Sequence, residues 1–88
     1  MSATAHDSSI EALVDRLADE MTRRWRDGEK PLAEEYFERN PELLGFPEAA
    51  AELIYEEVCL RQEFGEPTAL EEVLGRFPQW QDQLHRRL

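Results

Sequence analysis

Three pairs of adjacent glutamates, Glu34-Glu35, Glu56-Glu57 and Glu71-Glu72, are the side chains of this sequence best suited to acid–base work. Paired carboxylates serve that purpose when both reach one reacting atom. Neighbouring residues on a helix point about 100° apart, so these pairs do not converge. His6 and His85 are the only histidines, and neither follows a glutamate by three residues, as a helical di-iron site requires. Cys59 is the only cysteine, which excludes an internal disulfide and a thiolate metal cage. It stands between Val58 and Leu60 with Glu56 and Glu57 nearby, the setting of a small, partly buried helix residue and not of a reactive thiol. Serines and threonines stand mainly before helices, as caps, and no phosphate loop or zinc spacing occurs. These residues predict no enzyme, no cofactor and no metal.

The elements that carry the glutamates form a repeat. The run from Gly28 to Pro41 returns 37 positions later from Gly65 to Pro78, and both read G-E-x4-E-E-x3-R-x-P. Arg24 and Arg61 extend the match upstream. Each repeated residue has a mechanical explanation. Gly28 and Gly65 supply positive backbone angles after a long helix. Glu35 with Arg39, and Glu72 with Arg76, stand at i,i+4 with the acid nearer the N-terminus, the better orientation for a pair. Pro41 and Pro78 stop one short helix and open the next segment. Glu29 and Glu66 are placed to bond the free amides of the following helix.

Periodicity fills in the rest. Residues 1–7 are small and polar and read as a flexible tail. Ser8 to Glu11 forms a capping box, opening a helix whose stripe is Ile10, Leu13, Val14, Leu17, Met21 and Trp25. Arg23, Arg24 and Arg26 crowd its last turn, where cations oppose the dipole. Pro31 begins a second helix with Leu32, Ala33, Tyr36 and Phe37 inward, and Asn40 caps a brief turn through Leu44. A third helix runs from about Pro47 to Phe64, with Ala50, Leu53, Ile54, Val58 and Phe64 inward. Thr68 to Glu71 forms a second capping box before Leu70, Val73, Leu74 and Phe77. Pro78 opens a last helix with Trp80, Leu84 and Leu88 on one face. No segment alternates with period two. The expectation is an all-α bundle of four to five helices built from two similar helix–turn–helix units. Residues 8–88 form one domain with an internal duplication at about 10–44 and 47–88.

Eighty-eight residues make one small domain with a thin core. The charged fraction of 34% would suit a disordered chain, but the apolar residues are periodic and include Trp25, Phe37, Phe46, Tyr55, Phe64 and Trp80, which argues for a fold. A net charge of −10 repels phosphate backbones and anionic lipid, so neither nucleic acid nor membrane is an expected partner. No stretch approaches the roughly 18 apolar residues of a membrane span, and the first residues lack a signal peptide's features. A cytoplasmic location follows.

The stretch Arg24-Trp25-Arg26-Asp27-Gly28-Glu29-Lys30-Pro31, continued by Glu34 to Phe37, Pro41 to Leu43 and Leu53 to Glu57, resembles a known segment. It is similar to the acidic helical segment N-terminal to the catalytic domain of many bacterial eukaryote-like serine/threonine protein kinases, especially those of planctomycetes. Arg61 to Pro67 and Arg76 to Pro78 match too, so the resemblance covers about residues 15–88. None of the kinase motifs is present, and no catalytic residue carries over. The resemblance implies either the leading domain of a longer kinase or a free-standing relative. With the repeat and the acidity, it leads to the expectation of a non-catalytic regulatory or protein-interaction module. Such a module would hold a protein partner, or an attached kinase domain, in a groove where the repeats meet. Trp25, Tyr36, Tyr55 and Trp80 are the candidate contacts, although Trp25 and Trp80 also continue core stripes. The alternative is a structural spacer or oligomerisation domain.

Overall fold

A computed structural model of the chain describes residues 2–66 and 68–87, with side chains from Ser9 onward. The described residues form five α-helices: α1 (Ser2–Arg26), α2 (Ala33–Arg39), α3 (Pro47–Glu63), α4 (Leu70–Arg76) and α5 (Gln81–Arg87). Short 3-10 turns span Pro41–Gly45 and Pro78–Trp80. Among the described residues there is no strand. The chain is an all-α bundle.

α3 is the hub, with α1, α5 and α2 all packed against it. A central helix needs an apolar surface most of the way round. Ala50, Ala51, Leu53, Ile54, Val58 and Leu60 of α3 are all buried. α1 contributes the narrower stripe of Val14, Leu17, Met21 and Trp25, and Ile10 and Leu13 pack at its margin. Trp25 is buried with its indole N–H donating to the Pro31 carbonyl at 3.1 Å, so the ring adds core without an unmet donor.

Both long helices end in the same turn. The Gly28 amide donates to Trp25 O (3.1 Å) and the Glu29 amide to Arg24 O (2.9 Å). Gly65 donates to Gln62 O (3.3 Å) and Glu66 to Arg61 O (2.6 Å). This is the paired-bond Schellman ending, which demands a left-handed residue at its first position outside the helix. Gly28 at φ +88° and Gly65 at φ +77° supply it. The repeated glycines therefore do the same backbone job twice.

Helix starts differ from the expectation. α1 begins at Ser2 and Ser8 lies inside it, so no capping box opens it there. Nothing between Ser2 and Arg26 breaks a helix, and Ala3 and Ala5 favour one. α4 begins after Ala69, not after Thr68, and no side chain caps it. The Ala69 carbonyl instead accepts from Glu72 and Val73. Asn40 precedes the first 3-10 turn, but its amide side chain turns back to Tyr36 O at 3.0 Å. Glu29 and Glu66 cap nothing; they pair with Arg24 and Lys30. Among the expected inward residues, Leu32, Leu70 and Phe64 are exposed at the starts or end of their helices, although the Phe64 ring still packs against Trp25 with centroids 6.0 Å apart. Leu88 lies outside the described residues.

Candidate functional site

Among the described residues Glu57 of α3 is the one charged residue buried with the apolar core, and its side chain is fully enclosed. A buried carboxylate must be paired and hydrogen-bonded to remain ionised. Arg76, ending α4, meets it fork to fork with Nη1–Oε2 and Nη2–Oε1 both at 2.8 Å. Arg61, one turn along α3, donates to Oε2 at 2.9 Å. The Ala33 amide donates to Oε1 at 2.7 Å, so this carboxylate caps α2 from the opposite repeat. Burial pushes the Glu57 carboxyl up, but the Arg76 bonds, the Ala33 amide and Arg61 together hold it below the ordinary carboxylate range. Arg76 also grips Glu34 of α2, through Nε at 2.9 Å and through Nη2. Bonds from Glu57 and Glu34 raise Arg76 further above its already high value. One guanidinium thus ties α2, α3 and α4.

The first repeat carries a looser version. Arg39 reaches Glu20 at 3.2 Å and Glu35 at 3.8 Å, while Arg24 bonds Glu29 at 3.1 Å, Tyr36 Oη at 3.2 Å, and Glu35. The Glu35 bond in particular keeps Arg24 protonated, and the same bond lowers the Glu35 carboxyl. Of the two i,i+4 pairs expected, Glu35–Arg39 forms. Glu72–Arg76 does not, because Arg76 finds two carboxylates that grip its planar fork from both edges.

Where α2 meets the α4 corner, an open groove of about 410 Å³ is lined by Phe37, Pro41, Leu44, Phe77 and Trp80, with Glu34, Glu38, Arg76 and Gln79 at its edge. Phe37 and Trp80 pack edge to face at 5.2 Å, Phe37 and Phe77 likewise at 5.9 Å, and Phe77 stacks on Trp80 at 5.9 Å. The Arg76 guanidinium lies 4.9 Å over the Phe77 ring. These rings are buried, with 3–7% of their surface exposed, so the accessible apolar surface of the groove is mainly the half-exposed Leu44 and the exposed Pro41. A hollow of about 470 Å³ between α1 and α2 is lined by Arg16, Asp19, Glu20, Arg23, Arg39 and Asn40, with Leu13 and Leu17 as its apolar part.

The four candidate contacts are dispersed. Trp80 floors the groove. Trp25 and Tyr36 lie in the core, 2% and 0% exposed, so no partner reaches them in this arrangement. Tyr55 is exposed on α3, where a hydrogen bond with Cys59 raises its phenol, but it does not line the groove. Phe37, Phe77 and Leu44 were missed as contacts. Their sequence signal was the aromatic standing beside the repeated arginine in each corner, Phe37-x-Arg39 and Arg76-Phe77. Glu20 and Glu57 were missed as well, although carrying the 37-residue offset four places above Arg24 pairs them.

Among the described residues no three His, Cys, Asp or Glu side chains gather as a metal-holding group, and no helix is long and apolar enough to cross a membrane. No protein-family model, curated protein or solved structure matches the chain.

Proposed function

We propose that the chain is a non-catalytic protein-interaction module that receives a partner segment in the groove between α2 and the α4 corner. One observation carries the reading: a hollow in which the half-exposed Leu44 and the exposed Pro41 stand over the buried rings of Phe37, Phe77 and Trp80. Apolar hollows with a few polar groups at the edge are the usual form of a recognition site. The groove is held open by the Arg76 lattice, so it does not have to be assembled on binding, which reduces the cost of ordering. The likeness to a kinase N-terminal segment favours a kinase domain, in the same chain or another, as the partner.

The test compares the parent chain with Leu44→Glu in pull-downs from lysate, beside sedimentation across a concentration series. A partner held by the parent and lost with Leu44→Glu supports recognition at the groove. Reversible self-association abolished by the same substitution would support the oligomerisation alternative instead.

A further inference from the structure

We infer that the occupant of this groove is a basic amphipathic helix of another protein, an inference that rests on the interaction-module reading. The charge at the groove is one-sided. Arg76, the only cation of its lining, is already neutralised by Glu34 and Glu57. Glu38, on the groove edge, and Glu42, in the turn that supplies Pro41 and Leu44, are exposed and carry no ion-pair partner among the described residues. A net charge of −10 adds a long-range field of the same sign. A second copy of this chain would bring ten more negative charges and is disfavoured. Extended-strand addition needs a free sheet edge, and the described residues contain no strand. The helix-in-groove mode fits this hollow, with large apolar side chains at i and i+3 or i+4 seated against Leu44 and Pro41. Lysines or arginines on the flanks then meet Glu38 and Glu42.

The experiment uses the full 88-residue chain and a fluorescent amphipathic peptide of about four helical turns, with leucines on one face. Its polar face is made of lysine, glutamine or glutamate in three versions, and binding is read by anisotropy at about 50 and about 300 mM salt. The lysine version should bind about tenfold tighter than the glutamine version at low salt, with the advantage shrinking as salt rises. Glu38→Lys should remove most of that advantage and leave the glutamine version unchanged. Leu44→Ser, confirmed folded by circular dichroism, should weaken both. Equal binding of all three peptides overturns the basic partner and leaves the groove reading standing. Binding of the lysine version indifferent to Leu44→Ser is attraction to the acidic surface alone and overturns the inference. Failure of every version overturns the interaction-module reading with it.

Discussion

Glu20 and Glu57 occupy one register in the two repeats, yet the Glu20 side chain keeps 32% of its surface and Glu57 keeps none. Each stands four residues before an arginine of its own helix, Arg24 or Arg61, and each bonds the arginine that ends the following short helix, Arg39 or Arg76. Only Glu57 also takes a backbone amide, that of Ala33. The same glutamate and two arginines therefore build a solvated lattice once and a buried one once.

Removing one partner from each lattice should separate them. Arg76→Ala leaves an enclosed carboxylate without its fork and should destabilise by about 3–5 kcal/mol. Arg39→Ala acts on an exposed lattice and should cost about 1 kcal/mol or less. Urea unfolding followed by helical circular dichroism measures both. Equal losses would mean that burial contributes little to the second lattice.

Acid should weaken the fold through Glu57. Its folded value lies below the unfolded one, so its contribution is full above about pH 4.3 and is lost as pH falls through the folded value. Glu57→Gln should be much less stable than the parent at pH 7, with the gap narrowing in acid. Urea midpoints between neutral pH and about pH 3 give the comparison.

Glu56 behaves in the opposite sense. Burial first, then Glu52, Asp19 and Glu63, raise its carboxyl, so its contribution is present below the unfolded value and lost as pH rises through the folded one. Glu56→Gln should stabilise at pH 7 by a few tenths of a kcal/mol after solvent screening, with no gain in acid. A lower melting temperature for this variant at pH 7 would refute the sign.

Gly28→Ala and Gly65→Ala should each cost about 1–2 kcal/mol. A methyl at either position meets nothing within 4 Å, so the loss is all backbone conformation. Asparagine, which tolerates the left-handed region better, should recover part of it in thermal melts. Equal melting of the alanine and parent proteins would show that the corners relax without left-handed residues.

In the groove, Leu44→Ser should change stability by no more than about 0.5 kcal/mol, because Leu44 is half exposed. Trp80→Ala removes a buried ring that packs on two others and should cost about 3 kcal/mol or more. Chemical denaturation of the two variants distinguishes a lining residue from a supporting one.

What was legible in the sequence was whatever a short-range rule determines. The stripe from Val14 to Trp25, the stop at each repeated glycine and the 3-10 turn after Asn40 all follow from spacing within one segment. The Glu35–Arg39 pair does too. Where a distant group offered more, the local rule failed. Arg76 left Glu72, one turn away, for Glu57 and Glu34, because a planar guanidinium gains more from two forks than from one exposed contact. Glu57, 24 positions away, capped α2 in place of Glu29. Leu32 and Leu70 sit on the apolar side at the starts of their helices and stay exposed, so periodicity placed them inward where the packing leaves them open. Phe37 and Phe77 escaped notice as groove lining for a related reason: they also serve as core, a double role that spacing does not encode.

Arg76 lines the recess and at the same time clasps three helices. Filling the one and holding the other are then a single linked equilibrium. A tight guest would raise the temperature at which the chain melts, and any variant that slackens the clasp would forfeit affinity without touching the guest.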